Sequence, residues 1–334
     1  MDGFMASAHR VDNPITAPDP PLENLILAAE IGVSSGIKEK RWVLPAQVRQ
    51  SWMGHGKQEE APRSQGGMHV GQQALAGGKR QVVEQEHRQR RIAGSIRELL
   101  WIRGLGDLPE QRLRRLFLAL GRAIGQPDTT YGELYDVIDS GASHLERAIP
   151  ISQTRAATSM HTDSSQRATH PRWVGLACVR QAAEGGGSRL ASAVAVHDHL
   201  AEQDPETLRR LYRCFHRDLV TPGGARQRQQ RLANRFPIYR LAEDGPSLRY
   251  MRHWIETGHA RLGKPLMPED LQAFDSLDAA LNDPRFRHDL RLEPGDLLFC
   301  DNHKTAHDRE AYCDDPFAPR LMVRMWLNPS DLGE

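Results

Sequence analysis

The sequence predicts a mainly β protein with flanking helices, an α+β chain built on an antiparallel sandwich or jelly roll. After Pro127 the chain becomes a series of short apolar runs separated by turns, which is typical of strands. The chain has no Gly-rich phosphate loop and no regular alternation of strand and helix, which disfavours a Rossmann-type parallel sheet. A length of 334 residues with ordinary hydrophobic content allows one large domain with a sizeable core.

Charge and composition exclude several classes of partner. The chain has 44 Lys and Arg residues against 43 Asp and Glu residues, so its net charge of +1 gives no reason to expect nucleic acid or a membrane surface. No apolar run approaches the roughly 20 residues that span a bilayer, and the first residues lack the apolar segment of a secretory signal. The four cysteines, which have no CxxC spacing, are typical of a reduced cytoplasmic protein: Cys178, Cys214, Cys300 and Cys313.

Changes in composition divide the N-terminal third of the chain into an arm, a short strand, a loop insertion and a helical stretch. We expect residues 1–40, which are rich in Pro, Asp and Ala, to form a mobile arm, and residues 41–334 to form a single domain. Trp42–Leu44 is typical of a short strand, and the proline that follows could begin a helix. Residues 53–80 are rich in Gly, Gln and charge, which predicts a long loop insertion. A helical stretch then leads into an apolar strand at Leu99–Ile102.

The rest of the chain alternates between a few helices and many strands. Asp107–Glu110 offers an N-cap residue, an early proline and an acidic residue, which together predict the start of a helix. Two further helices are predicted at Pro205–Cys214 and at about Pro268–Leu281. Strands are predicted at Val137–Ile138, Val174–Val179, Ser192–Val196, Leu297–Cys300 and Leu321–Leu327. A basic stretch near 219–236 is expected to be a surface loop that could act as a lid over a substrate.

A candidate metal site begins with an imidazole and a carboxylate two residues apart. Residues i and i+2 of a strand point to the same face, so His161 and Asp163 can reach one point in space. A metal needs a third ligand, and the segment Asp301–His307 offers two imidazoles, those of His303 and His307. Two imidazoles and one carboxylate on one face leave open coordination positions, which is the arrangement of non-heme Fe(II) oxygenases.

The His-x-acid spacing is weak when it is taken alone. His144–Glu146 and His216–Asp218 have the same spacing, and most such pairs are a surface histidine beside a solvated acid. The remainder of the chain must therefore distinguish between them.

Three further features converge with the first pair. Glu184–Ser188 predicts a tight turn that ends in a hydroxyl, and Glu293–Asp296 predicts a turn that starts the strand before His307. Arg320 and Arg324 lie four residues apart on the last predicted strand. Residues at that spacing share a strand face, so both guanidinium groups could point into one cavity.

The chain resembles the taurine dioxygenase / clavaminate synthase-like family of Fe(II)- and 2-oxoglutarate-dependent oxygenases in four stretches: MHTDSS, EGGGS, LEPGDLLFCDNHKTAHDREAY and PRLMVRMWL. The resemblance runs from about Trp42 to Leu327 and is interrupted by residues 53–80. It implies a double-stranded β-helix, which is a jelly roll with a cupin-like core. It also implies Fe(II) as the metal, with 2-oxoglutarate and O2 as co-substrates.

Carried over to the matching positions, the resemblance implies that His161, Asp163 and His307 bind Fe(II) and form the catalytic centre. The family usually has Asn-Arg-Arg after the preceding strand and Gly after the second metal-binding His, whereas this chain has His303 and, next to His307, Asp308. His307 is preferred over His303 because its spacing to the arginines fits the family. The carboxylate at position 163 favours hydroxylation or a related hydrogen abstraction, since related halogenases have Gly or Ala there.

The resemblance also implies how the co-substrate and the substrate are held. Arg320 would pair with the distal carboxylate of 2-oxoglutarate, and the Ser188 hydroxyl would provide a second contact. A planar guanidinium suits this role because it can hold a carboxylate through two parallel hydrogen bonds. Arg324 matches a position that meets an anionic group of the substrate in several family members. The implied substrate is an anionic small molecule, amino-acid-like or a specialised metabolite, either free or tethered to a carrier.

We therefore expect a dioxygenase that hydroxylates an unactivated C–H bond. Desaturation or cyclisation with the same co-substrates, and breakdown of a taurine-like sulfonate, remain open. An alternative of another class is a non-catalytic jelly-roll protein that binds a ligand or a structural metal, which would tolerate Asp163→Ala. A hydrolase that uses another divalent metal would leave Arg320 and Ser188 without a purpose.

Overall fold

The computed structural model describes residues 39–43, 99–141, 151–168, 170–218 and 232–329 of the chain. The predicted insertion at 53–80, the predicted helix after Pro45, and most of the predicted arm and lid lie outside the described residues. The strand predicted at Trp42–Leu44 is present as Glu39–Val43, so it begins two residues inside the segment that was predicted to be a mobile arm.

The described strands, in chain order, are β1 (Glu39–Val43), β2 (Leu99–Arg103), β3 (Gln126–Pro127), β4 (Tyr135–Val137), β5 (Trp173–Arg180), β6 (Glu184–Gly185), β7 (Ser188–Ser192), β8 (Cys214–His216), β9 (Arg235–Pro237), β10 (Tyr239–Ala242), β11 (Gly245–Leu248), β12 (Arg287–Leu290), β13 (Leu297–Asp301), β14 (Thr305–Arg309), β15 (Tyr312–Cys313) and β16 (Leu321–Asn328). The described helices are α1 (Glu110–Ile124), α2 (Ala193–Gln203), α3 (Pro205–Leu211), α4 (Arg252–Leu262) and α5 (Pro268–Asn282). The chain is thus a mixed helix and strand protein, as its sequence predicts.

The described strands form five sheets, of which three are two-stranded (β10-β11, β15-β6 and β8-β9) and two are larger. The larger of these two has the order β1-β2-β13-β5-β16-β3, with β4 also paired to β16. Its pairings are antiparallel except for that of β1 with β2. The smaller sheet has the order β12-β7-β14 and is antiparallel throughout. Neighbours in each sheet come from distant parts of the sequence, so the chain crosses repeatedly between the two.

The two sheets pack against each other through their apolar faces. One buried cluster joins Val174, Leu298 and Met322 of the larger sheet to Leu190 and Leu290 of the smaller sheet. Successive strand residues point to opposite faces, so each strand contributes every second side chain to this interior. The polar residues of the functional site occupy other inward positions on the same strands.

Helix α1 covers the outer face of the larger sheet. Leu113, Leu116 and Phe117 are buried in a cluster with residues of β5, β13 and β16. A Cβ at Gly175 of β5 would lie 2.9 Å from the rings of Phe117 and Phe299, so only glycine allows the helix to approach this closely. The helix begins after Pro109, which makes no side-chain cap, so the prediction of Asp107 as its N-cap is wrong.

Helices α2, α3 and α5 cover the outer face of the smaller sheet. Ala191 of β7 and Ala306 of β14 have no exposed surface and join a cluster with residues of all three helices. Small side chains at these two positions let the helices lie directly on the strands. No helix among the described residues is long and apolar enough to cross a bilayer.

The predicted strand at Ser192–Val196 is wrong, because β7 ends at Ser192 and α2 begins at Ala193. The Ser192 hydroxyl accepts a hydrogen bond of 3.2 Å from the backbone N–H of Ala195, which is the usual way in which serine begins a helix. A short apolar run fits both a buried strand and a buried helix face, and here the cap decides between them. Helix α4, which Gly263 ends in a left-handed conformation, was not predicted.

Candidate active site

The two sheets enclose a cavity of about 520 Å³. From the larger sheet its lining includes Tyr135, Val174, Leu176, Leu298, Cys300, Arg324 and Trp326, and from the smaller sheet Ser188, Leu190, His307 and Arg309. The segment that contains His161 and Asp163 also lines the cavity. All six residues predicted from the sequence to form the site line this one cavity.

The predicted metal ligands meet at one point. His161 and His307 form an antiparallel backbone bridge through two hydrogen bonds of 3.0 and 2.8 Å, which brings their side chains together. Asp163 Oδ1 lies 3.5 Å from the Nε2 atoms of both histidines. Among the described residues, His161, Asp163 and His307 are the group of three side chains that could hold a metal ion, with ligand atoms within 4.8 Å of one another.

Each of the two imidazoles has a ring nitrogen available to a cation. His161 Nδ1 lies 2.7 Å from the backbone carbonyl oxygen of Ser159, which fixes Nδ1 as the protonated nitrogen and leaves Nε2 free. Burial lowers the pKa of His307 even though the nearby Asp163 carboxylate raises it. Both ring nitrogens of His307 lack a hydrogen-bond partner among the described residues. A metal ion bound at Nε2 would satisfy one of them.

Asp163 is held as an ionised carboxylate. Burial acts to raise its pKa, but Arg324 and the two imidazoles outweigh burial and hold the pKa of Asp163 well below its usual range. Its Oδ2 accepts a hydrogen bond of 2.8 Å from the Trp326 indole and lies 3.1 Å from Arg324. Its Oδ1 lies 3.3 Å from Arg324 and faces both imidazoles, so Oδ1 is the oxygen placed for a metal.

Asn302 fixes the backbone of the same residue. Its side-chain oxygen accepts a hydrogen bond of 2.8 Å from the Asp163 N–H, and its side-chain nitrogen donates one of 3.1 Å to the Asp163 carbonyl. A third bond of 2.9 Å reaches the carbonyl of Pro171. Asn302 lies in the turn between β13 and β14, so the turn that leads to His307 also positions Asp163.

The other histidines that the sequence offered as metal ligands are not part of this group among the described residues. His303 stacks on His170 with a ring-centroid distance of 4.6 Å and takes no part in the metal-ligand group. Burial lowers the pKa of His303 to about 4, so it is neutral above mildly acidic pH. The pair His216–Asp218 is not part of the metal-ligand group, and Asp218 forms an ion pair with Arg261 instead. The pair His144–Glu146 lies outside the described residues.

Arg320 is a buried cation that has no acidic side-chain partner among the described residues. It is 2% exposed, and its Nε and one terminal nitrogen have no hydrogen-bond partner among the described residues. Its guanidinium carbon lies 5.2 Å from the centre of the Tyr312 ring. Burial lowers the pKa of Arg320 to about 10, so it stays charged at neutral pH. A buried charge is costly unless it is paired, so this arrangement suits an anionic ligand such as a carboxylate. Ser188 lines the same cavity.

Arg324 differs from Arg320 because it already has partners. Its NH1 atom lies 3.3 Å from Asp163 Oδ1 and 3.1 Å from Asp163 Oδ2. Burial lowers the pKa of Arg324, but Asp163 and Tyr135 raise it by more than burial lowers it. The pKa of Arg324 is therefore above its usual range. An anionic substrate group would therefore have to share this guanidinium with Asp163.

Two residues of the site were missed from the sequence: Trp326 and Asn302. Trp326 follows Arg324 by two residues on a strand and must share its face, so alternation could have placed it in the cavity. No comparable signal exists for Asn302, because its partner lies 139 residues away.

Residues 72–326 match the family model described as Taurine catabolism dioxygenase TauD, TfdA family. The chain is 28% identical over 221 residues to FR-33289 synthase of Streptomyces rubellomurinus, covering 63% of this chain and 61% of that protein. It is 31% identical over 186 residues to a uridine-5'-phosphate dioxygenase of a Streptomyces species, covering 52% and 63%. It is 30% identical over 212 residues to clavaminate synthase 2 of Streptomyces clavuligerus, covering 62% and 57%. The chain thus spans about three fifths of the length of these relatives.

Two solved structures share the fold. A complex of asparagine oxygenase with Fe(II), 3-hydroxyasparagine and succinate has a TM-score of 0.58 at 19% identity, covering 72% of this chain and 79% of that chain. The non-heme iron oxygenase OrfP has a TM-score of 0.56 at 14% identity, covering 86% and 94%. The family match covers more than half of the chain, and we conclude that the chain belongs to the TauD, TfdA family of Fe(II)- and 2-oxoglutarate-dependent oxygenases.

Proposed function

We propose that this protein is an Fe(II)- and 2-oxoglutarate-dependent oxygenase that hydroxylates an unactivated C–H bond of a small molecule with an anionic group. The observation that carries the proposal is the convergence, in one cavity, of a two-histidine, one-carboxylate group with a buried arginine that has two guanidinium nitrogens without a partner in the described part of the chain. The two histidines and the carboxylate fit a metal ion, and the arginine fits a carboxylate of the co-substrate. A non-catalytic binding protein would have no need for both.

In this proposal His161, Asp163 and His307 hold Fe(II) through Nε2, Oδ1 and Nε2. Three protein ligands on one face leave positions for the co-substrate and O2. With 2-oxoglutarate and O2, the bound iron supplies an oxidant for a C–H bond while the keto acid is converted to succinate and CO2. The work of the chain is to position these groups and the substrate.

Arg320 binds the distal carboxylate of 2-oxoglutarate in this proposal, with the Ser188 hydroxyl as a second contact. The two unpaired guanidinium nitrogens are the support for this role, since a bidentate pair with a carboxylate would satisfy both. Arg309, in contrast, forms its side-chain hydrogen bonds with backbone carbonyls of this protein. It donates hydrogen bonds to the carbonyls of Ser152, Thr154 and Ala156 and so holds a wall of the cavity.

The substrate would occupy the rest of the cavity, near the face of Asp163. Most of the remaining lining side chains are aromatic or uncharged, and two are acidic: Tyr131, Tyr135, Ser152, Gln153, Thr158, Ser164, Gln166, Met251 and Trp254, with Asp136 and Asp308. Ser164 has a left-handed φ of 56° and a buried hydroxyl without a partner among the described residues. Strained residues with free polar groups are common at binding sites, so we propose Ser164 as a substrate contact. Arg324 would meet an anionic group through the side of its guanidinium that Asp163 leaves free.

The substrate class is inferred from the relatives and from the cavity together. The names of the relatives point to nucleotide and amino-acid-type substrates. An amino-acid-like compound or a specialised metabolite, free or carrier-tethered, is therefore preferred over a simple sulfonate. Desaturation and cyclisation start from the same hydrogen abstraction, and product analysis separates them from hydroxylation.

The proposed fold that supports this function is a double-stranded β-helix, or jelly roll. The larger sheet and β12-β7-β14 are its two halves, and the cavity lies between them. Residues 41–334 would form a single domain of this type, with the segment near 219–236 as a lid over the substrate.

The proposal is tested by measuring succinate release and O2 consumption with Fe(II), 2-oxoglutarate and a panel of amino acids, nucleotides and sulfonates. A true substrate should stimulate both rates, and Asp163→Ala should abolish the stimulation. A product that is heavier by one oxygen atom would support hydroxylation, and a product that is lighter by two hydrogen atoms would indicate desaturation. If the folded protein forms no succinate under any of these conditions, the oxygenase proposal fails.

A further inference from the structure

The two oxygens of the Asp163 carboxylate have different surroundings. The Trp326 indole N–H donates a hydrogen bond of 2.8 Å to Oδ2. Oδ1 faces both imidazoles at 3.5 Å. Asp163 is 4% exposed, so water has little access to exchange with either oxygen.

Arg324 cannot create this difference. Its NH1 atom lies 3.3 Å from Oδ1 and 3.1 Å from Oδ2, so it attracts both oxygens almost equally. The indole N–H is a single, directional donor, and it contacts one oxygen only. Arg324 therefore supplies charge, and Trp326 determines how the carboxylate is rotated.

The Trp326 ring is itself held in place. It lies edge-on to Tyr131 and Tyr135, with ring-centroid distances of 5.6 and 5.5 Å. The guanidinium carbon of Arg167 lies 5.5 Å from the ring centre. Its backbone is fixed in β16, opposite Val174 of β5. An indole that is fixed on several sides can impose an orientation on its hydrogen-bond partner.

We propose that Trp326 is a positioning residue that makes Asp163 a monodentate ligand through Oδ1. This inference rests on the proposed role of Asp163 in binding the metal. A carboxylate that is free to rotate could chelate a metal through both oxygens and would then take a coordination position that the co-substrate needs. By occupying Oδ2, the indole N–H keeps that position open.

The test is Trp326→Phe, which keeps an aromatic ring and removes the N–H. The matched control is Trp173→Phe, because Trp173 is also a buried tryptophan and its indole nitrogen has no hydrogen-bond partner among the described residues. Each metal-free protein is titrated with Co(II) without O2, and affinity and the visible absorption spectrum are recorded. Loss of an outer hydrogen bond to a metal ligand typically weakens metal binding roughly 10- to 100-fold.

We expect Trp326→Phe to bind Co(II) roughly 10- to 100-fold more weakly, with an altered spectrum, and Trp173→Phe to match the parent in both. A parent-like affinity and spectrum in a folded Trp326→Phe protein would overturn the inference while leaving the proposed function intact. If the parent itself failed to bind Co(II), the proposed metal site would fail first.

If Trp326→Phe does not fold, the unaltered protein provides a second measurement. In protein labelled with ¹⁵N at the indole nitrogens, Zn(II) binding should shift one slowly exchanging indole N–H signal. Sub-stoichiometric Mn(II) should broaden that same signal. An unchanged set of indole signals on binding of either metal would contradict the inference.

Discussion

At the scale of single residues, the site is defined by which polar groups have partners and which do not. Arg324 is paired with Asp163, whereas Arg320 is buried and two of its nitrogens have no hydrogen-bond partner within the described ranges. The two arginines are four residues apart and look equivalent in the sequence. Their different roles follow from the opposite strands and loops, which the sequence does not show.

The role of Arg320 is tested by Arg320→Gln, which removes the charge and the forked donor. A hydrogen bond to a charged group contributes about 1.5–3 kcal/mol, so the affinity for 2-oxoglutarate should fall roughly 10- to 150-fold. Isothermal titration of the metal-loaded protein without O2 measures this. Arg122→Gln, which alters an exposed arginine paired with Glu133, should have the affinity of the parent. Equal affinities for all three proteins would contradict the assignment.

The buried His303 predicts a dependence of stability on pH. Burial lowers the pKa of His303 to about 4 in the folded protein, against an ordinary value of about 6.5 for an exposed histidine. The unfolded chain therefore binds more protons between these values, and the free energy of unfolding falls as the pH falls through this window. The loss at pH 5 relative to pH 7.5 from this residue is about 2 kcal/mol.

We expect His303→Gln to lose correspondingly less stability between pH 7.5 and pH 5 than the parent in denaturant titrations. The same substitution at the exposed His253 is the control and should leave the pH dependence of the parent unchanged. If His303→Gln also retained the full dependence of the parent, the buried neutral imidazole would not be its source.

The sequence predicted that His161, Asp163, His307, Arg320 and Arg324 would lie together, and the structure brings them into one cavity, whereas their roles as ligands stay predictions. The spacing of His161 and Asp163 suggested that the two side chains meet, although His161 lies at an isolated bridge and Asp163 in a turn, so the predicted strand is absent there. The roles of Trp326 and Asn302 were not predictable, because each contacts Asp163 across more than 130 residues. The sequence already favoured His307 over His303 through its spacing to the arginines, and the structure agrees, because it stacks His303 on His170 outside the metal-ligand group.

At the scale of elements, turns place the strands that carry the site. Gly295 lies in the predicted turn before β13 and has a φ of +89°. A Cβ at this position would lie 2.3 Å from the backbone of Leu105 and Gly106. This turn was predicted from its composition, whereas the need for glycine comes from a segment that is nearly 190 residues earlier.

Gly295→Ala should therefore destabilise the protein by about 3 kcal/mol or more, because strain at a positive φ adds to a backbone clash. Gly263→Ala is the matched control, since Gly263 has a φ of +64° and nothing within 4 Å of the added Cβ. The unfolding free energy of Gly263→Ala should fall by only about 1 kcal/mol. Thermal and denaturant unfolding of both variants measure the difference. Equal losses of unfolding free energy in the two variants would show that the contact with Leu105 and Gly106 adds nothing to the cost of the positive φ.

The elements that the sequence misassigned were short or were decided by local contacts. Ser192–Val196 is apolar enough for a strand, but a serine cap makes it the start of α2. The strong apolar strands β5, β13 and β16 were predicted nearly to the residue. Their long apolar runs are buried on both faces and leave little ambiguity.

At the scale of the whole molecule, the proposed metal would join separate parts of the fold. His307 lies on the smaller sheet, and Asp163 is tied to the larger sheet through Arg324 and Trp326 of β16. A bound metal would therefore connect the two sheets across the cavity. Ligands that bind only the folded state stabilise it by mass action.

Mn(II) together with 2-oxoglutarate should raise the unfolding free energy by about 2.7 kcal/mol when the ligand is at 100 times its dissociation constant. Differential scanning calorimetry of the parent and of His161→Ala measures this. The variant should show no stabilisation by the metal. Equal stabilisation of the variant would place the metal elsewhere.

The most direct measurement is an anaerobic titration of the metal-free protein with Fe(II) and 2-oxoglutarate, followed by visible spectroscopy. Chelation of Fe(II) by the keto acid should produce a weak charge-transfer band. We expect this band in the parent, its loss in His161→Ala and its weakening in Arg320→Ala. Folded protein that binds Fe(II) but shows no band with 2-oxoglutarate would contradict the assignment of this cavity as an oxygenase site.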